Sequence, residues 1–132
     1  MRNLILMIGV AWGSYHLYAQ ANKDVTERIT DVANNPVPTY EYIELWGERA
    51  IEMCKLNARD YNINIKVCPE YISAKFDECR LELPAELPEM ISSRKQGRKI
   101  ISGYFDCISA YPHCNGREVT TLYEARKYCK ES

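Results

Sequence analysis

Six cysteines are the residues with the clearest chemical potential in this sequence. Thiols can pair as disulfides, bind zinc or act as nucleophiles, and their spacing and compartment decide which of these occurs. No two of the cysteines form a C-x-x-C pair, the spacing that zinc sites and thiol exchange favour. The pattern therefore favours three disulfides, and we expect these to use Cys54, Cys68, Cys79, Cys107, Cys114 and Cys129.

Histidine chemistry has one candidate outside the first residues of the chain, His113. A Ser-His-Asp or Cys-His catalytic arrangement would have to use this residue. It lies beside Pro112 in a predicted turn, and the chain contains no nucleophile motif such as G-x-S-x-G. Cys107, His113 and Cys114 are poorly spaced as zinc ligands. We therefore predict no catalytic residue, no metal site and no cofactor, and we expect a protein that is not an enzyme.

Positive charge is concentrated in residues 94–99, which read RKQGRK. This cluster could bind an acidic protein surface, a phosphate-bearing lipid head group or a cell-wall carboxylate. A solvated helix start beside Glu86 and Glu89 would give the same pattern. The formal net charge of −1 gives no general attraction to nucleic acid, so another protein is the expected partner. The candidate binding cations are Arg94, Lys95, Arg98 and Lys99.

Tyrosine is the second candidate for recognition, because its ring can bury a large area while its hydroxyl remains polar. Eight of the ten tyrosines follow residue 21. Tyr42, Tyr71 and Tyr123 fall outside the apolar stripes of the predicted helices, and we select these three as candidate binding residues. A partly buried structural role is the alternative interpretation of each.

Residues 1–21 are typical of an export signal. Arg2 gives a short positive start, residues 4–12 form the apolar run LILMIGVAW, and the sequence AQA at residues 19–21 fits the pattern that signal peptidase cleaves. An uncleaved anchor over residues 4–19 is the first alternative. A helix that spans a membrane needs about 20 apolar residues, and the apolar run here is interrupted before it reaches that length. A buried cytosolic helix is the second. Cleavage and anchoring both place the rest of the chain in the periplasm or outside the cell, where disulfides form.

The rest of the chain has room for one domain. Residues 22–38 are polar and end in NNPVP, which is typical of an extended linker. A short amphipathic helix from Val25 to Val32 is an alternative for part of this segment. Residues 39–132 then form the disulfide-stapled helical domain.

Four helices are predicted from apolar residues that recur every three or four positions. The second helix follows Pro69, and the third runs from about Glu89 to Ala110. The final helix places Leu122 on its apolar side. Residues 62–67 alternate polar with β-branched side chains and predict a short strand or an extended turn. The first helix starts at Thr39, and its buried stripe contains Ile43, Trp46, Ala50, Cys54 and Ala58.

These elements predict an all-α fold, a small bundle of about four helices cross-linked by disulfides, with one short extended segment as an option. Cys68 and Cys79 are expected at the two ends of one helix, about 16 Å apart, and so cannot bond to each other. A helical hairpin could bring Cys54 to Cys68, one of many possible pairings.

The disulfide staples and the lack of a catalytic motif favour a non-enzymatic binding protein of the inhibitor or immunity-protein type. Such a protein would occlude a partner's site by surface complementarity. No N-x-S/T sequon is present, which favours a bacterial envelope over a eukaryotic secretory route. The alternatives are a membrane-tethered envelope component, with residues 4–19 retained, and a small hydrolase of cell-wall or lipid material. The oligomeric state is not predicted.

Overall fold

The computed structural model describes residues 24–129, so the predicted export signal lies outside the described range. Within this range, no helix is long and apolar enough to cross a membrane. Two short 3-10 helices, Ile65–Val67 and Arg80–Glu82, lie between the regular elements. The regular elements of residues 24–129 are α1 (Val25–Thr30), β1 (Val37–Pro38), α2 (Thr39–Asn57), α3 (Cys68–Ser73), α4 (Phe76–Cys79), β2 (Met90–Ile91), α5 (Arg94–Ile108), β3 (His113–Cys114), β4 (Arg117–Glu118) and α6 (Leu122–Tyr128).

Helix α2 is the central element, and α1, α3 and α5 all pack against it. The predicted helix from Thr39 is confirmed, but its buried face includes Tyr42 and Leu45, each 2% exposed. Ile43 and Trp46, which the sequence pattern placed inward, pack at the edges of the core. Because several helices cover α2 from different sides, its buried arc differs from the single stripe that the spacing indicated.

The strands β1 and β2 pair antiparallel, with Val37 opposite Ile91 and Pro38 opposite Met90. They lie in segments predicted as a linker and as the start of a helix. Two residues are too few to show a strand pattern, and the partners are far apart in sequence, so only the tertiary fold reveals this pair. The fold is therefore mostly helical with two small antiparallel strand pairs, and the prediction of an all-α bundle is correct only for its helical content.

The segment predicted as a polar linker, residues 22–38, is packed where the structure describes it. The carboxylate of Asp24 caps α1 by accepting a hydrogen bond from the backbone N–H of Glu27, at 2.8 Å. Ile29 and Val32 join the core and are 8% and 0% exposed. The short amphipathic helix, proposed above as the alternative for this segment, is thus observed.

The second predicted helix is divided into α3, α4 and a 3-10 turn. It still places Ile72 and Cys79 in the core, at 0% and 2% exposure. Phe76 packs directly on Gly47 of α2, where an added Cβ would lie 2.9 Å from the phenyl ring. Glycine at this position therefore permits the close approach of α4 to α2.

The connection between α2 and α3 contains no strand, in contrast to the extended segment predicted at residues 62–67. Asn62 has a positive φ of 57°, which asparagine tolerates better than most residues. Asn64 then caps the 3-10 helix by accepting a hydrogen bond from the backbone N–H of Lys66, at 3.0 Å. This local side-chain hydrogen bond competes with an extended backbone and, with the positive φ of Asn62, turns the chain.

Helix α5 begins later than the predicted start at Glu89, because Met90 and Ile91 belong to β2. Ser93 caps the helix, with its hydroxyl accepting a hydrogen bond from the backbone N–H of Gln96 at 3.1 Å. The buried apolar residues of this helix are Ile100, Ile101, Tyr104 and Ile108.

The strands β3 and β4 form a hairpin, followed by α6. Asn115 and Gly116 at its tip have φ angles of 53° and 78°, as expected for an asparagine-glycine turn between two strands. Helix α6 contains no buried residue. Leu122, expected to face inward, is 69% exposed.

The three predicted disulfides are present, and no described cysteine is free. Their Cα–Cα separations of 5.8, 5.6 and 5.0 Å are within the usual range. Cys68 and Cys79 have separate partners, as the helix geometry predicted. Three disulfides in a short chain are typical of an oxidising compartment. The bonds are Cys54–Cys68, Cys79–Cys107 and Cys114–Cys129.

Candidate functional site

The four predicted binding cations lie together in the first two turns of α5, and all are exposed. None of them forms an ion pair with any residue between positions 24 and 129. The first turn of α5 contains no acidic residue, so these cations oppose the helix dipole without local compensation. This arrangement concentrates uncompensated positive charge on one surface. We call it the basic face, formed by Arg94, Lys95, Arg98 and Lys99.

A cleft of about 210 Å³ lies at the edge of the basic face, between α1, α2 and α5. Two of the four cations line it, together with apolar and aromatic side chains of the core, whereas Lys95 and Lys99 do not. We call it the Arg94/Arg98 cleft. Its lining residues are Ile29, Thr30, Tyr42, Trp46, Arg94 and Arg98.

Tyr42 forms part of the cleft wall from inside the core, because its side chain is only 2% exposed. A Cβ added at Gly97 would lie 2.2 Å from the Tyr42 hydroxyl, so the ring rests directly on the backbone of α5. Burial raises the pKa of Tyr42, while the neighbouring Trp46 indole and the positive charges of Arg94 and Arg98 act in the opposite direction. Tyr42, predicted to contact a partner with its ring, is instead a core residue that fixes α5 beside α2.

Trp46 forms the aromatic wall of the cleft. Its ring packs edge to face on Phe105, with a centroid separation of 4.7 Å, and on Tyr42 at 6.3 Å. The indole N–H is buried beside the Tyr42 hydroxyl, which is its neighbouring polar group, although the two do not meet in full hydrogen-bonding geometry.

Tyr71, the second predicted binding tyrosine, belongs to a separate cluster around Lys75. The Lys75 ammonium donates hydrogen bonds to the Tyr71 hydroxyl at 3.2 Å and to the Ser109 carbonyl at 2.9 Å. It also pairs with Glu118 at 3.0 Å. Burial and the neighbouring Glu118 carboxylate raise the pKa of Tyr71. Because all three ammonium protons have acceptors, this cluster joins the α3–α4 turn to β4, and it is structural in character.

His113 also lies at this junction. Its Nδ1 is 3.0 Å from the Tyr111 carbonyl, and its ring packs edge to face on Tyr71 with centroids 5.4 Å apart. The contacts of this ring among residues 24–129 do not include a serine or cysteine nucleophile, the partner a hydrolase would need. The disulfides also leave Cys107 and Cys114 without the free thiolate a zinc ligand requires. No cluster of three metal-binding side chains is found in the described range.

Tyr123, the third predicted binding tyrosine, is 72% exposed on α6. It lines an open groove with Arg117, Glu118, Glu124 and Tyr128, and none of the residues of the basic face contributes to it. The three selected tyrosines therefore lie at three different places and do not form one recognition surface with the cations.

Comparison of the chain with known protein families, with curated proteins and with solved structures gives no match.

Sequence inspection found the basic face but missed the aromatic half of the cleft. Trp46 was assigned to the core from its helical spacing, which hid its role at the cleft surface. The signal that could have revealed the cleft is Gly97, because a glycine inside a helix often marks the close approach of another element. It lies between Arg94 and Arg98, where the Tyr42 ring meets α5.

Proposed function

We propose that this protein is an exported, non-enzymatic binding domain of the bacterial envelope, which acts by contact with another protein in the manner of an inhibitor or immunity protein. The observation that carries this proposal is the basic face, four exposed cations on one helix with no ion-pair partner in the described chain. Such a surface attracts an acidic surface and increases the rate of association.

The scaffold suits this function because it presents the basic face rigidly. Helix α5 is bonded to α4 by Cys79–Cys107, and it is anchored in the core by Ile101 and Ile108, at 2% and 0% exposure. A surface that is ordered before binding loses less conformational entropy when the partner docks. The mechanism is therefore occlusion of an acidic surface on the partner.

The test is capture of partners from envelope extract by the oxidised chain. We expect one specific protein to be retained at low salt and released as ionic strength rises, because exposed charges are screened beyond about 10 Å at 0.1 M salt. Replacing all four cations of the basic face with glutamine should lower the retained amount about tenfold or more.

A matched control removes four other exposed cations that have no side-chain hydrogen bond or ion pair with the described residues. This variant loses the same charge and should retain the partner like the unmodified protein. Equal loss in both variants, or recovery of no protein at low salt, contradicts the proposed function. The control positions are Lys55, Arg59, Lys66 and Arg126.

A further inference from the structure

Two arginines without an ion-pair partner in the described chain and a partly exposed aromatic ring meet at the Arg94/Arg98 cleft. Arg94 and Arg98 line the cleft from α5, and Trp46 and Ile29 line it from α2 and α1. These features favour an anionic ligand with an apolar part, since neither arginine has an ion pair within residues 24–129 and the Trp46 ring is only partly buried.

The two cations at the cleft are both arginines, which restricts the chemical groups that the cleft could bind. Arg94 and Arg98 are four residues apart and therefore lie on the same side of α5. Arginine presents a planar fork of N–H donors that matches the two oxygens of a carboxylate or phosphate, whereas lysine acts as a point charge. Lys95 and Lys99 are turned about 100° around the helix and do not line the cleft. The two arginines are thus the residues placed for anion recognition.

The volume and the lining of the cleft further restrict the size and the polarity of the ligand. Its volume of about 210 Å³ is below the roughly 300–1,000 Å³ of sites that hold drug-sized molecules. The cleft therefore fits a single side chain or chain terminus. A free phosphate or a hydrated head group would leave the partly exposed Trp46 ring uncovered, whereas a carboxylate beside an apolar side chain would cover it.

We propose that the Arg94/Arg98 cleft binds one carboxylate-bearing residue of the partner protein, whose adjoining aromatic or aliphatic group packs against Trp46 and Ile29. Arg94 and Arg98 hold the carboxylate at the cleft mouth. The C-terminal residue of a protein chain offers both features at once when its side chain is apolar. This inference rests on the proposed function, because it takes the partner to be a protein.

The first experiment titrates the full, oxidised chain with small probes and follows the Trp46 indole signal by NMR. The Trp12→Phe variant identifies that signal, because the chain has two tryptophans. N-acetylphenylalanine carries a carboxylate and an aromatic ring, and its amide is the uncharged control. We expect the acid to shift the Trp46 signal and to bind about tenfold more tightly than the amide. Equal binding of acid and amide, or phosphate binding as tight as that of the acid, overturns the proposal.

Matched pairs of variants separate the cleft from general electrostatic attraction. Arg94→Gln with Arg98→Gln should weaken binding of the acid about tenfold or more, and Lys95→Gln with Lys99→Gln less than about threefold. Both double variants remove two charges from the same helix. A third pair, Arg94→Lys with Arg98→Lys, keeps the charge, removes the fork and should also weaken binding. Equal effects of the two glutamine pairs overturn the proposal, and the unchanged amide spectrum of each variant verifies its fold.

The two proposals fail in different ways. Binding of the probe to the cleft without any captured protein supports the cleft and contradicts the proposed function. Capture of a partner that depends on Lys95 and Lys99, but not on Arg94 and Arg98, supports the function and overturns the cleft as the anchoring site.

Discussion

Two disulfides of this protein close loops of nearly equal length in very different surroundings. Cys54 and Cys68 are 14 residues apart and are 1% and 0% exposed, within the helical core. Cys114 and Cys129 are 15 residues apart, and both are partly exposed. Loop length alone predicts about 3 kcal/mol of stabilisation from each. The difference between the two lies in the packing around them.

The C-terminal unit, residues 113–129, has little core of its own. Val119 is its buried apolar residue, at 5% exposure, and α6 contains none. Local contacts hold α6 to the hairpin, including a hydrogen bond from the Asn115 amide to the Tyr128 carbonyl at 2.8 Å. The Arg117 guanidinium also lies 4.7 Å from the centre of the Tyr128 ring. The disulfide in the core therefore adds to extensive packing, whereas the disulfide in the C-terminal unit holds together a segment with little packing.

A polar junction connects the two regions. The backbone N–H of His113 donates to the Tyr61 carbonyl at 2.8 Å, and the Asn62 amide donates to the His113 carbonyl at 3.0 Å. Lys75 adds its ion pair with Glu118. The hairpin is thus fixed to the core, whereas α6 depends on the hairpin and the disulfide.

The largest effect should come from deleting a core side chain. Ile72→Ala removes a residue that is 0% exposed and should lower the free energy of unfolding by about 2–5 kcal/mol, because it leaves a cavity. Leu122→Ala removes a residue that is 69% exposed, and its effect should be within about 0.5 kcal/mol. Urea unfolding measures both. Similar losses would show that α6 packs as firmly as the core.

Removing each of the two disulfides sharpens the comparison. Cys54→Ala with Cys68→Ala should lower the free energy of global unfolding by about 3 kcal/mol, since the loop it closes unfolds with the core. Cys114→Ala with Cys129→Ala should leave the global transition nearly unchanged and remove the exchange protection of the amides in α6, because this segment can open locally. Hydrogen exchange followed by NMR measures both effects. A comparable global loss in the second variant would contradict local opening.

Two glycines test steric contact in the core against backbone conformation in the hairpin. Gly97→Ala places a methyl group against the buried Tyr42 hydroxyl and should cost about 1–3 kcal/mol, despite the better helix propensity of alanine. Gly116→Ala meets no atom within 4 Å, but its φ of 78° should cost about 1–2 kcal/mol. Thermal unfolding should show the Gly97→Ala loss globally, while exchange in the hairpin should show the Gly116→Ala loss locally. No loss in Gly97→Ala would contradict the close approach of α2 and α5.

The smallest effect should be a decline of stability at alkaline pH. Burial raises the pKa of Tyr71 above the ordinary value near 10, with a further contribution from Glu118. The unfolded chain therefore loses this proton at lower pH than the folded chain does. The resulting stabilisation is present below about pH 10 and is lost as the pH rises above it.

Urea unfolding between about pH 9 and 11 measures this decline. Tyr71→Phe removes the raised pKa and should make the decline shallower. Tyr123→Phe is the control, because its ring is 72% exposed on α6, and it should decline like the unmodified protein. If the Tyr71→Phe variant loses as much unfolding free energy at alkaline pH as the unmodified protein, Tyr71 is not the source of the decline.

The long helices were predictable because the spacing of apolar residues within each segment is enough to indicate a helix. Apolar spacing predicts both α2 and α5. The strand pair of residues 37–38 and 90–91 was not predictable, since two-residue strands have no period and pair across a long stretch of chain. The polarity of residues 22–38 predicted a linker. Ile29 and Val32 are nevertheless spaced so that both enter the core, and these two side chains pack α1 against the rest of the domain.

The cationic half of the candidate site was predictable from the sequence, and the aromatic half was not. Charge is visible residue by residue, so Arg94 and Arg98 were selected as binding residues from the sequence. The burial of Tyr42 and the position of Trp46 at the cleft depend on which side of α2 faces α5, and helical period alone leaves this rotation open by about one residue.

The sequence by itself determined the high helical content, the use of all six cysteines in disulfides, though not which cysteines pair, and the concentration of cations in residues 94–99. These properties follow from residue type and from spacing within one element. The tertiary structure alone decided that Gly97 admits the Tyr42 ring, that Trp46 faces the arginines across a cleft, and that α6 lies outside the core. The physical reason is that burial and concavity belong to pairs of elements, and the residues of one element do not specify what packs against them.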